Sequence, residues 1–180
     1  QRKLYLAAVV DAREKLRAAK PEDKMAVFAV LMRLREICCD PRLVADNWDG
    51  GSAKLDACME LVTAAVEGGH RILLFSQFTS MLELLAKRLD EAGVSHFTLQ
   101  GSTPKPVRAE LVRRFNSGEA DVFLISLRAG GTGLNLTAAD IVIHYDPWWN
   151  VAAQNQATDR AYRIGQRNPV QVYKLIAQDT

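Results

Sequence analysis

The stretch Leu124–Leu136, LISLRAGGTGLNL, decides how the rest of the chain is read. It begins as an apolar run of the kind that makes a fully buried strand. Gly130, Gly131 and Gly133 then follow almost together. Glycine permits positive φ and carries no side chain, so such a turn lets backbone approach a phosphate closely. A strand running into a glycine-rich turn has the form of half a nucleotide site. The other half is missing, because no G-x-x-x-x-G-K-[ST] phosphate loop occurs anywhere in the 180 residues. A dinucleotide fingerprint fits poorly too: Gly131-Thr132-Gly133 continues to Leu136, where that motif needs glycine or alanine. Read alone, the glycines also suit a tight turn with no chemical role.

Working outward, helix-like and strand-like patterns alternate. Short apolar runs read as strands at RILLFS (71–76), SHFTL (95–99), DVFLIS (121–126), DIVIHY (140–145) and VQVYKLI (170–176). Between them, helical spacing runs through Leu55, Cys58, Met59, Val62 and Val66, and through SMLELLAKRLDEAG (80–93) and PVRAELVRRFNSG (106–118). Gly93 and Gly118 stop the latter two. A further helix is expected around AAQNQATDRAYR (152–163). Strands separated by helices imply right-handed crossovers and a mostly parallel sheet covered on both faces. Ligands of such sheets sit at the carboxyl ends of the strands, which puts the loops after Ser76, Leu99, Ser126 and Tyr145 on one edge.

The first fifty residues differ. Leu4, Ala7, Ala8, Val10 and Leu16 mark one helix, and Val27, Val30, Leu31, Leu34 and Ile37 a second after the break at Pro21. CCDPRLVADNWDGGS (38–52) carries Asp-Pro and Asp-Gly-Gly turn signals and ends at Ser52, a candidate N-cap. The expected organisation is a helical protrusion with its connecting loop over 1–50 and an α/β lobe over 51–180, its carboxyl end cut short.

Composition excludes several classes. With 48% hydrophobic and 24% charged residues the chain can bury a full core, and a net charge of +2 is too small to indicate a polyanion partner by itself. Cys38, Cys39 and Cys58 lack the spacing of a disulfide framework or a zinc site, so buried reduced thiols are expected. No apolar run is long enough to span a membrane, and the charged amino terminus is unlike a signal peptide, so a cytoplasmic location is expected, nucleoid-associated in a bacterium or nuclear in a eukaryote.

Two further clusters carry chemistry. In QNQATDRAYRIGQR, a helix would place Gln156, Arg160 and Arg163 on one face, with two forked guanidiniums suited to a triphosphate. The alternative is a solvated helix in which Asp159 pairs with Arg163. In DPWWN, Trp148 and Trp149 follow a strand end; one suits core packing, and the other should face a partner surface.

RILLFSQF, LQGSTP with Arg108 beyond it, LISLRAGGTGLNLTAADIVIHYDPWWN and QNQATDRAYRIGQ, in this order, resemble the second RecA-like lobe of Swi/Snf-type ATPases. These are DNA translocases of helicase superfamily two, and the resemblance covers essentially the whole chain. LMRLREICCDPRLV resembles the family's helical protrusion. The resemblance implies a RecA-like α/β fold. It also implies ATP and Mg²⁺ held mainly by a first lobe of the same parent chain, with the site completed by this lobe across a cleft. It makes Arg160 and Arg163 arginine fingers, places Gly133, Asn135 and Gln156 at the nucleotide, and gives Trp148 and Trp149 a coupling role. Ser76, Gln77, Ser102, Thr103, Ser126 and Arg128 would line a path for double-stranded DNA. A protein carried on that DNA is a further implied partner, and no membrane is. Val151 departs from the family's usual proline, and Tyr162 from its usual histidine. The rival from another class is a DNA- or protein-binding lobe without catalysis, which has no need of two fingers.

Overall fold

A computed structural model describes residues 1–18, 24–127, 134–147, 151–162, 166 and 168–178. The chain divides into two compact units, Gln1–Asp56 with Ala177–Thr180, and Ala57–Ile176. The division falls within the third helix.

In the first unit, α1 (Arg2–Ala18) and α2 (Lys24–Cys39) pack on one another. The Gln1 side-chain amide, at the start of α1, donates to the carbonyl of Ile37 near the end of α2 at 2.8 Å, so the two helices run antiparallel. A 3₁₀ turn at Pro41–Leu43 follows, capped by Asp40. The fully buried Asp40 carboxylate takes a forked pair of bonds from Arg42, Nε at 2.8 Å and Nη2 at 2.7 Å, which offsets the burial of its charge. Ser52 closes the connection: its hydroxyl donates to the Cys39 carbonyl and accepts from the Leu55 amide at the start of α3 (Ala53–Glu67).

The second unit holds a five-stranded sheet, all parallel, in the order β2-β3-β1-β4-β5. The strands are β1 (Ile72–Ser76), β2 (His96–Leu99), β3 (Val122–Ser126), β4 (Ile141–His144) and β5 (Gln171–Lys174). Each of the five apolar runs in the sequence becomes one of them. Burial follows position: every residue of β1, β3 and β4 is buried, whereas edge strand β5 is largely exposed. Hence the central strands are continuous apolar runs and β5 is not. Three helices of this unit are α4 (Thr79–Glu91), α5 (Lys105–Asn116) and α6 (Val151–Thr158).

On one face of the sheet, Leu73, Phe75, Phe123, Ile125 and Val142 pack with Phe115 of α5, Leu136, Ala157 of α6 and Ala161 just beyond it. Alternate strand residues point the other way, and α4 packs against β1, β2 and β3 through Met81, Leu82, Leu85 and Leu89. Each fully buried leucine there contributes roughly 1.5–3 kcal/mol. Among the described residues no helix is long and apolar enough to cross a membrane.

Helices α4 and α5 end as their glycines imply. At Gly93, φ is 68°, the Gly93 amide bonds the Asp90 carbonyl at 3.0 Å, and the Val94 amide reaches back to Leu89 at 2.9 Å. Gly118, with φ 90°, repeats the arrangement through Phe115 and Arg114. These paired bonds satisfy the last carbonyls and turn the chain toward the next strand. Gly101 has ordinary φ and open space around it. Gly93→Ala should therefore lower unfolding free energy by about 1–2 kcal/mol, the strain of a left-handed non-glycine residue. Gly101→Ala should be nearly neutral, and urea denaturation of both variants checks the contrast.

Candidate functional site

Parallel pairing puts all five carboxyl ends along one edge. Ser76 is level with Ser126, Leu99 with Ile125, and Phe75 with His144. From β1 the chain moves toward β2, and from β4 toward β5 on the opposite side, so the crevice of this sheet lies between β1 and β4.

A buried carboxylate spans that crevice. Asp146, 4% exposed, accepts the Gln77 amide on both oxygens at 3.2 and 3.1 Å. The Ser76 hydroxyl is turned inward, donating to the Phe78 carbonyl and accepting its amide. These bonds fix the loop leaving β1.

The loop leaving β2 is organised by an arginine. Arg108 Nε donates to the Thr103 carbonyl at 2.7 Å, and its Nη2 donates to the carbonyls of Gly101 at 2.8 Å and Gln100 at 3.3 Å. The Thr103 hydroxyl accepts the Gln100 amide at 3.0 Å. With its carbonyls gathered toward the guanidinium, the loop leaves Ser102 exposed, without a hydrogen-bond partner among the described residues. Lys105 is exposed at the start of α5.

A second group of residues joins the tail of the glycine turn to the turn after α6. The Leu136 amide donates to the Arg160 carbonyl at 3.1 Å. The Gln166 side-chain amide donates to the carbonyls of Ala139 at 2.6 Å and Ala161 at 3.3 Å, bracing both segments. Asn116, the last residue of α5, donates to the Asn135 carbonyl at 2.8 Å and accepts the Ala138 amide at 3.2 Å. Asn135 and Gln156 themselves are exposed, and their amide groups suit the hydroxyls of a sugar.

The arginine turn departs from the sequence expectation. Helix α6 stops at Thr158, so Gln156 and Arg160 do not share one helical face. Beyond Thr158 the bonds from the Arg160 amide to the Ala157 carbonyl and from the Ala161 amide to the Thr158 carbonyl span three residues instead of four, which tightens the backbone where Arg160 turns inward. Arg160 is 3% exposed, with its guanidinium over the Phe75 ring at 5.6 Å. Ser76 and Ser126 are buried as well, whereas Ser102 and Lys105 in the segment after β2 are exposed. Gly133, Arg128, Trp148, Trp149 and Arg163 lie outside the described residues. Val151 begins α6, and Tyr162 is 69% exposed.

His144 completes the packing. It stacks on Phe75 at 5.6 Å, and its Nε2 meets the Thr158 hydroxyl at 3.1 Å, holding the end of α6 just before Arg160. Its Nδ1 is buried with no hydrogen-bond partner among the described residues. Burial, reinforced by Lys174, pushes its pKa down to about 4. Asp146, Asn116, Gln166 and His144 were not recognisable as site residues in the sequence. Only Arg108 had a signal, its spacing from LQGSTP.

The residues from Ala53 through Gly165 match the family model described as the helicase conserved C-terminal domain. The chain belongs to that family. This helicase C-terminal domain is similar to the Sulfolobus solfataricus SWI2/SNF2 ATPase core in complex with dsDNA, at 30% identity and a TM-score of 0.83, covering 97% of this chain and 37% of that one. It is similar as well to the SWI2/SNF2 ATPase C-terminal domain of the same organism, at 27% identity and a TM-score of 0.79, over 97% and 72% of the two chains. An uncharacterized ATP-dependent helicase of Mycoplasma pneumoniae is 38% identical over 93% of this chain. The mouse SWI/SNF-related matrix-associated actin-dependent regulator of chromatin subfamily A member 1 is 36% identical over all of it. The chain spans 16% and 18% of the length of these two curated relatives. The helicase C-terminal domain is thus a second RecA-like lobe of the Swi/Snf type, and its all-parallel sheet flanked by helices is the expected fold.

The histidine gives a pH dependence with a definite sign. Its folded pKa lies below the ordinary 6.5, so the unfolded chain binds the proton more readily. The stability contributed by neutral His144 is complete above about pH 6.5 and is lost as pH falls toward 4, by about 2–3 kcal/mol. In His144→Phe, the difference between urea midpoints at pH 7 and pH 4.5 should shrink; an unchanged difference would assign the acid sensitivity to other groups.

Proposed function

We propose that this lobe works as the second half of a DNA-dependent ATPase motor, closing on ATP held by a first lobe and carrying part of the track for the DNA backbone. The observation that supports this most is the double tie between the glycine-turn tail and the arginine turn, Leu136 to Arg160 and Gln166 to both. It gives the nucleotide-facing residues a common rigid base on the Swi/Snf-type lobe.

Division of labour follows from burial. Phosphoryl transfer needs positioned positive charge as negative charge spreads over the transferred group. Arg160 is enclosed in the lobe over Phe75, which suits an arginine that sets the turn from within. Arg163 is then the residue that reaches the phosphates. Asn135 and Gln156 address the nucleotide from exposed positions beside that turn. ATP supplies the phosphoryl group whose transfer to water drives the motor, with Mg²⁺ held by the first lobe. Among the described residues no cluster of His, Cys, Asp or Glu could hold a metal ion.

The DNA side is the Gln100–Lys105 edge. Ser102 and Thr103 offer small hydroxyls and Lys105 a charge, a set that contacts phosphates without reading bases. Gln77 lies on the loop leaving β1, with its backbone amide held by Asp146. Ser76 and Ser126 shape these loops from beneath, and Arg128 extends the basic character. Trp148 and Trp149, which follow β4 in the sequence, are assigned to coupling between lobe closure and movement on DNA. The Sulfolobus core in complex with dsDNA supports a duplex as the ligand.

In the whole two-lobed enzyme, Arg163→Ala should lower DNA-stimulated ATP turnover on the order of a thousandfold, with thermal stability unchanged, and lysine should not restore it. Arg160→Ala should lower turnover and also destabilise the lobe by about 2 kcal/mol or more, as loss of a buried packed cation does. Near-normal turnover in Arg163→Ala would remove the finger and with it the motor reading.

A further inference from the structure

Helix α5 touches both sides of this machinery. Near its start, Arg108 holds the carbonyls of Gln100, Gly101 and Thr103. At its last residue, the Asn116 side chain engages the Asn135 carbonyl and the Ala138 amide together, much as a neighbouring backbone peptide would. The bonded stretch is the one that the Leu136 amide joins to Arg160.

The helix between these two ends is firmly seated. Phe115 is fully buried, 5.2 Å from the Phe123 ring, and the Arg114 guanidinium lies over Phe97 at 4.8 Å. Arg113 pairs with Glu110 on its exposed side, and Arg114 with Glu119 just beyond its end. Twelve helical residues extend about 18 Å, so segments remote from one another are held at a set separation.

We propose that α5 is a rigid connector between the DNA-facing loop and the nucleotide-facing segment, with Arg108 and Asn116 as the positioning residues at its two ends. The inference rests on the assignment of the Gln100–Lys105 edge to DNA and of Asn135 with the arginine turn to nucleotide. Neither residue touches the reacting atoms. Each sets the backbone of a segment that does the contacting, and the helix makes the two settings interdependent.

Because binding linkage is reciprocal, the connector has a readout that local damage does not share. The quantity is the factor by which a DNA duplex tightens binding of a non-hydrolysable ATP analogue to the whole two-lobed enzyme. Asn116→Asp keeps the shape and the acceptor but loses the donor to Asn135, and Arg108→Lys keeps the charge but loses the fork. Each should reduce the coupling factor by roughly fivefold or more, within the ordinary scale of coupling between sites. The thermal midpoint should not change, and the double variant should lose little more than either single one, since both cut the same path. A reduced analogue affinity with an unchanged coupling factor would overturn the connector, as would strictly additive losses. If Asn116→Asp and Asn116→Ala both unfold the lobe, the contact is purely structural and the proposal fails. Loss of turnover in Arg163→Ala beside intact coupling in Asn116→Asp would sink the connector alone, whereas normal turnover in Arg163→Ala would sink the motor reading beneath it.

Discussion

One backbone hydrogen bond, from the amide of Leu136 to the carbonyl of Arg160, joins the two sequence clusters proposed to carry the chemistry. The glycine-turn tail leads from β3 to β4, and the arginine turn leads from α6 to β5, so without a cross-tie each would adjust alone. Gln166 adds a second tie by donating to Ala139 and Ala161, and its own carbonyl oxygen accepts the Asn168 amide. Leu136, Ala139, Ala157 and Ala161 belong to the same buried cluster, which keeps water from competing for these bonds. On the proposed motor reading, these bonds set the nucleotide-facing segments relative to one another before the lobe meets its nucleotide.

The fold was legible because its signals are local and agree with one another. Ile72–Phe75, Val122–Ile125 and Ile141–Ile143 are unbroken apolar runs, as strands covered on both faces must be, and Gly93 and Gly118 stand where positive φ is needed. The reach of α6 was not legible. DRAYR continues a helical pattern in composition, yet burying Ala161 and the Arg160 side chain against Phe75 favours a tighter turn after Thr158. Tertiary packing outweighs a propensity difference of a few tenths of a kcal/mol per residue.

Of the candidate site, the sequence pattern singles out residues proposed to contact ligands and misses the side chains that support them. Ser102, Asn135 and Gln156 sit in motif positions and reach the surface. Asn116, Asp146 and Gln166 act through partners distant in sequence, and no spacing rule connects Asn116 to Ala138 or Asp146 to Gln77. Such bonds depend on which strand ends the topology brings together. The buried hydroxyls of Ser76 and Ser126 show the converse: a polar residue at a strand end is as useful inside a loop as on its surface.

On the proposed reading this lobe carries half of an ATPase site, and hydrolysis needs the other half. The lysine-bearing phosphate loop is absent from all 180 residues, while the residues suited to completing a site are braced by three separate side chains. The most direct measurement is ATP hydrolysis by this chain with duplex DNA, first alone and then joined to the first lobe of its parent enzyme. The chain alone should show no turnover above the uncatalysed rate, and DNA-stimulated turnover should appear once the first lobe is present. Hydrolysis by the isolated chain, stimulated by DNA, would contradict this reading.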